Sequence, residues 1–81
     1  MHELPMRSQL DRRLVNRRLV DEAIQAYIDW REESAGVRDA FDRWACTHGV
    51  DAAGAFEAYR AALDREECAS DAYADRLARI A

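Results

Sequence analysis

The chain has few residues that would turn or interrupt it. It contains one proline, three glycines and no lysine among 81 residues, so all twelve cations are arginine. Its two cysteines, Cys46 and Cys68, are too few for the disulfide framework of a small secreted domain. No apolar run approaches the roughly 20 residues of a membrane span, and the first ten residues lack the apolar core of a signal peptide. We therefore predict a cytoplasmic protein, and the arginine bias indicates bacterial, GC-rich coding.

Charge is distributed unevenly along the chain. Residues 1–18 carry five arginines against Glu3 and Asp11, a net charge of +3, whereas residues 19–81 carry seven arginines against fourteen acids, a net charge of −7. An acidic surface repels nucleic acid and anionic lipid. The sequence thus divides into a basic N-terminal arm, 1–18, and an acidic domain, 19–81, and only the arm could attract an anionic partner.

Apolar residues recur at alternating spacings of three and four along two segments. Positions a and d of a heptad repeat in this way along one side of a helix. The pattern predicts helices at about 19–47 and 52–80, each roughly 45 Å long at about 1.5 Å per residue. Between them lies "THGVDAAG", where Asp51 is a candidate N-cap. The expected fold is all-α, a long antiparallel helical hairpin. The a and d positions are Val20, Ala23, Tyr27, Trp30, Ser34, Val37, Phe41, Trp44 and His48, and then Phe56, Tyr59, Leu63, Glu66, Ser70, Tyr73, Leu77 and Ile80.

Gly36 raises an alternative fold for the first segment. A glycine inside a helix costs about 1 kcal/mol relative to alanine, and Gly36 could instead end a helix. A break there would give a three-helix bundle. The heptad spacing continues without a slip across Gly36, which favours one continuous helix.

An antiparallel hairpin fixes which residues face each other. If the connection is centred near residue 50, the numbers of facing residues sum to about 100. The expected pairs are Val20–Ile80, Ala23–Leu77, Tyr27–Tyr73, Val37–Leu63, Phe41–Tyr59 and Trp44–Phe56.

The apolar face is wider than a two-stranded coil requires. Ile24 and Ile28 lie outside the a and d positions, and the flanking g positions are mainly alanine. Such a face is typical of a helix in a bundle, and a hairpin of this size is hard to stabilise alone. We therefore expect a homodimer that forms a four-helix bundle, although a different partner hairpin would satisfy the same argument.

Polar residues interrupt the apolar positions near the middle of the hairpin. Ser34 should face Glu66 and Ser70 should face Trp30, with Arg31 within reach of the Glu66 carboxylate. A buried carboxylate has to be paired, hydrogen-bonded or protonated. This layer is either a device that fixes helix register, an edge reached by solvent, or a candidate ligand site. The sequence lacks metal-ligand spacings, and we predict no cofactor, no metal ligands and no catalytic residues.

The arm contains a repeated basic pentapeptide, "DRRLVNRRLV". A five-residue step turns a helix about 140° beyond a full turn, so its two Leu-Val pairs cannot share a face, and the heptad pattern fails upstream of residue 18. We expect a short N-terminal helix, either bent away near Asn16 or extending the first helix. Its arginines are spread around the helix, which disfavours nucleic acid and favours docking onto the acidic domain, its dimer mate or an acidic protein partner. These arginines are Arg12, Arg13, Arg17 and Arg18.

Together these features predict a small non-catalytic adaptor or regulatory protein that acts through protein–protein contact as a homodimeric bundle. The first alternative is a small-molecule or metal-binding bundle that uses the polar layer around Glu66. The second is a weak nucleic-acid-associated regulator that uses the arginine-rich arm. Neither a membrane partner nor enzyme activity is expected.

Overall fold

Two α-helices account for most of the chain in this computed structural model, which describes the backbone of residues 4–81 and the side chains of residues 11–81. Helix α1 spans Leu4–Cys46 and helix α2 spans Ala52–Ile80, with a 3₁₀ turn at Gly49–Asp51 between them. The two helices pack against each other as an antiparallel hairpin, and residues 4–81 contain no strand. The predicted all-α hairpin is confirmed. Residues 1–3 of the predicted arm lie outside the described residues.

Helix α1 is continuous through Gly36, so the three-helix alternative with a break there is wrong. A Cβ atom placed on Gly36 would meet nothing within 4 Å, so no close neighbour requires glycine at this position. The modest loss of helix stability at glycine is offset because the segments of α1 on both sides of Gly36 pack against α2 and keep the helix straight.

Of the two alternatives for the arm, the structure has the extension of the first helix and not the separate helix bent away near Asn16, because residues 4–18 are the first turns of α1. The helix begins at Leu4 and passes Asn16 without interruption. Pro5 stands in the first turn, where its missing N–H is not needed. No proline or glycine occurs between Pro5 and Gly36, so each further residue adds a backbone hydrogen bond to a helix already formed.

The turn after α1 is closed by local hydrogen bonds. The Thr47 N–H donates to the Trp44 carbonyl at 3.1 Å, and the Thr47 hydroxyl donates to the carbonyl of Arg43. Gly49 has a φ of 74°, a left-handed conformation that glycine adopts without strain. Asp51 directly precedes α2 as predicted, but its side chain makes no capping hydrogen bond.

Aromatic contacts confirm the predicted facing of the helices. The rings of Tyr27 and Tyr73 lie 5.5 Å apart between centroids, a distance typical of packed aromatic pairs. Near the turn, the corresponding distances are 5.6 Å for Phe41–Tyr59 and 4.9 Å for Trp44–Phe56. The register inferred from the heptads is therefore the one in the structure.

The hairpin is a thin rod with one helix longer than the other. Its principal extents are 76 × 13 × 13 Å and its radius of gyration is 20.3 Å, against roughly 12 Å for a compact domain of this length. Because α2 ends at Ile80, which lines a groove together with Val20, residues 4–18 of α1 have no α2 beside them. We call residues 4–18 the overhang. In the part of the chain that the structure describes, neither helix has a stretch apolar enough to cross a membrane.

Candidate functional site

The two long sides of the hairpin are packed differently. Position d on each helix leans toward the flanking g positions, and position a leans toward the e positions. Alanine occupies most g positions, and the three buried hydrophobic residues among 11–81 are Ala23, Ala26 and Ala62. Small side chains let the two backbones approach closely along this side, which we call the closed side.

The opposite side carries most of the large apolar residues that remain exposed. They occupy position a on both helices, together with Ile24 at an e position. Ile24 is 52% exposed although it lies beside the core. At the open end of the hairpin, several of these residues line a shallow apolar groove between the helices. We call this surface the open face, and it consists of Val20, Ile24, Tyr27, Phe41, Phe56, Leu63 and Leu77.

The exposed area matches this description. The accessible surface is 6560 Å², whereas a compact protein of 9.3 kDa would expose roughly 5,000 Å². The overhang and the elongated shape of the hairpin both raise the exposed area. A stable dimer of standard size buries about 800 Å² on each partner.

The polar layer centres on a hydrogen bond between the helices. The Trp30 indole N–H donates to a carboxylate oxygen of Glu66 at 2.6 Å in a part-buried position. The Trp30 ring also stacks on Tyr73 with centroids 5.6 Å apart. Ser34 and Ser70, which occupy the neighbouring a positions, are half-buried. A charged acceptor for an indole donor is a strong form of hydrogen bond, so this carboxylate has a structural partner.

The predicted contact between Arg31 and Glu66 is not formed. Arg31 is exposed, and within the described residues it makes no ion pair with Glu66. Among residues 11–81, the ion pair that joins the two helices is Arg65 with Glu33, at 3.5 Å between Nε and a carboxylate oxygen. Both side chains are substantially exposed, so the pair contributes little stability but agrees with the same register.

Residues 11–81 bring together no group of three or more His, Cys, Asp or Glu side chains that could hold an ion. Cys46 and Cys68 are both exposed free thiols. The contact that the structure shows for the Glu66 carboxylate is the indole N–H of Trp30, whose ring stacks on Tyr73.

The four arginines of the arm all lie on the overhang and are exposed. Arg13 and Arg17 occupy the a and e positions that continue the open face toward the start of α1, whereas Arg12 and Arg18 point to other sides of the helix. Leu14 on the overhang is 57% exposed. The overhang thus combines cationic and apolar groups on a helix that α2 does not cover.

Trp30 is the residue of the polar layer whose role the facing rule missed. The rule places Ser34 opposite Glu66, but the long indole of Trp30, one turn away, reaches the carboxylate instead. The available signal was chemical, because a buried indole N–H needs an acceptor and Glu66 is the nearest acidic residue at an inward position.

Comparison with protein-family models, with curated proteins and with solved structures yields no match for this chain.

Proposed function

We propose that this chain acts as a homodimer in which two hairpins join through their open faces into a four-helix bundle. The assembled bundle would work by protein–protein contact, as an adaptor or regulatory subunit, without catalysis of its own. The single observation that carries the proposal is the open face, where seven large apolar residues remain exposed along one side.

Physical reasoning favours a second copy as the cover for this face. The three buried hydrophobic residues among 11–81 are alanines, so the hairpin by itself removes little apolar surface from water, and burial of that surface is the main force that folds small domains. Homodimers with a twofold axis are the commonest soluble assemblies, and each open face then meets the same side of a second copy.

The alternatives draw less support from the site. The Trp30 indole already occupies one oxygen of the Glu66 carboxylate, and residues 11–81 place no group of three or more potential metal ligands together. A nucleic-acid function would rest on the four exposed arginines of the overhang, which point in different directions around one helix. Neither alternative accounts for the open face.

Thermal unfolding across protein concentrations tests the proposal. For a dimer that dissociates as it unfolds, mass action makes Tm rise with protein concentration. We expect Tm from circular dichroism at 222 nm to rise by several degrees over a hundredfold increase in concentration. A Tm independent of concentration, with a cooperative transition, would contradict the dimer. Addition of a panel of divalent metal ions at fixed concentration serves as the control, and a rise in Tm there would favour the ligand alternative.

A further inference from the structure

We infer that in the dimer the overhang of each protomer lies along the acidic middle of the other protomer. This inference rests on the proposed homodimer and adds how the two hairpins are placed relative to each other. It follows from three properties of the molecule: the charge of the overhang, the charge of the middle of the hairpin, and the position of the open-end groove between them.

The overhang presents positive charge on the continuation of the open face. Residues 11–18 contain four arginines against Asp11, a net charge of +3. Arg13 and Arg17 are four residues apart and therefore share one side of α1. That side follows directly from Val20 and Ile24 of the open face. A surface that is apolar along the hairpin thus becomes cationic along the overhang.

The middle of the hairpin is the most acidic part of the chain. Residues 29–33 and 64–71, which face each other across the hairpin, contain seven acids against Arg31 and Arg65, a net charge of −5. On α2 three exposed acids share one side at spacings of three and four, at the edge of the open face, and we call them the acidic ridge. They are Asp64, Glu67 and Asp71.

Charge decides between the two ways in which identical open faces can meet. A twofold axis parallel to the rod puts both overhangs at the same end, where two cationic helices, each with a net charge of +3 over residues 11–18, lie side by side and repel. A twofold axis across the rod makes the protomers antiparallel and sends each overhang along the other hairpin. Complementary charge favours the second arrangement.

The apolar groove fixes where that axis passes. For residues 11–18 to lie beside residues 29–33 of the second copy, the axis has to cross α1 close to Ala23 and Ile24. These two residues line the groove at the open end, with Val20 and Tyr27 on either side. The groove then covers its own copy at the centre of the interface, where the four helices run together, and the open-face residues nearer the turn lie toward the start of the other copy's α1. The overhang extends about 22 Å past the groove, at 1.5 Å per residue, which is enough to reach the acidic middle.

Charge reversal on the overhang tests this placement. The variant Arg13→Glu/Arg17→Glu should weaken the dimer about tenfold at low salt, measured by sedimentation equilibrium, because like charges then face each other. The matched control Arg12→Glu/Arg18→Glu changes the net charge equally but on other sides of the helix, and should change the dissociation constant less than about threefold. Arg13→Gln/Arg17→Gln should give a smaller loss in the same direction, and helicity at 222 nm checks that each variant folds.

Reversal of the acidic ridge in the same chain completes the test. Adding Glu67→Arg/Asp71→Arg, which lie at the levels opposite Arg13 and Arg17 in this placement, to the Arg13→Glu/Arg17→Glu variant should recover most of the lost affinity, because the complementary pairs are rebuilt with opposite signs. Any one of three outcomes would overturn the inference and leave the proposed dimer unaffected. The affinity could be unchanged by Arg13→Glu/Arg17→Glu, it could fall equally in the control, or it could fail to recover on reversal of the ridge. A monomeric unmodified protein would overturn both.

Discussion

Along one long side of the hairpin the helices meet through alanines, whereas along the other side they present large apolar groups that nothing in the chain covers. On the closed side Ala62 is 1% exposed, and on the open face Ile24 is 52% exposed. The closed side is built from positions d and g, and the open face is built from positions a and e. The difference shows that alanine at the g positions draws the helices together on one side, so the residues at position a are left at the opposite edge.

The largest expected effect comes from charging the open face. Ile24→Glu places a carboxylate in the apolar groove, where burial without a partner is strongly unfavourable. We expect the dissociation constant of the dimer to rise about a hundredfold, measured by sedimentation equilibrium. Val50→Glu adds the same charge at a residue of the turn that is 95% exposed, and it should leave dimer affinity nearly unchanged. Equal behaviour of the two variants would mean that the open face is not an interface.

Enlarging a side chain on the closed side should lower the free energy of unfolding while leaving the residues of the open face unchanged. Ala62→Leu adds three carbons where the helices are closest, and such overpacking costs roughly 1–3 kcal/mol. The control Ala61→Leu lies on the neighbouring exposed side of α2 and should change the free energy of unfolding by less than about 0.5 kcal/mol. Urea unfolding at fixed protein concentration measures both. If Ala62→Leu is tolerated as well as Ala61→Leu, the closed side is not tightly packed.

The hydrogen bond across the polar layer should have a smaller effect. Glu66→Leu removes the acceptor of the Trp30 indole N–H and should lower the free energy of unfolding by about 1–2 kcal/mol. On a Trp30→Phe background, which lacks the donor, the same substitution should cost much less. Urea unfolding of the four proteins gives the coupling. A Glu66→Leu protein that is more stable than the unmodified one would instead make the carboxylate a register device retained at a cost in stability.

Two glycines provide the smallest expected changes, of opposite sign. Gly36→Ala should raise the free energy of unfolding by about 0.5–1 kcal/mol, because the helix gains propensity and a Cβ there meets nothing within 4 Å. Gly49→Ala should lower it by about 1 kcal/mol, because a residue with a Cβ is strained at a φ of 74°. Thermal and urea unfolding would show both shifts, and a loss of stability in Gly36→Ala would contradict a continuous, unstrained α1.

The hairpin could be predicted from the sequence because the heptad spacing of apolar residues continues without a slip along each of two long segments. The ends of α1 and α2 at the turn, and the contact of Tyr27 with Tyr73, follow from heptads that the structure reproduces. The structure of the arm was harder to predict. The Leu-Val pair at 14–15 recurs at 19–20, and this five-residue step breaks the heptad pattern but not the helix. The loss of apolar periodicity leaves open whether the arm bends away or extends the first helix. The helix continues through it, and the backbone there only lacks a packing partner.

The polar layer shows what residue spacing alone cannot predict. Spacing put Ser34 and Arg31 near Glu66, but the length of the Trp30 side chain decided the contact. The sequence also indicated part of the asymmetry between the closed side and the open face, because it has alanine at most g positions and a large apolar residue, Ile24, at an e position. Which side leaves its large residues exposed depends on the distance between the two helix axes. That distance is set by the packing of the whole hairpin.

The mass of the protein in solution tests the central claim most directly, because it asks whether the open face is covered by a second copy. Multi-angle light scattering should give about 19 kDa at micromolar concentration, twice the chain mass of 9.3 kDa. Ile24→Glu should shift the mass toward that of a single chain. A folded, fully helical unmodified protein of 9.3 kDa across the whole concentration range would contradict the account.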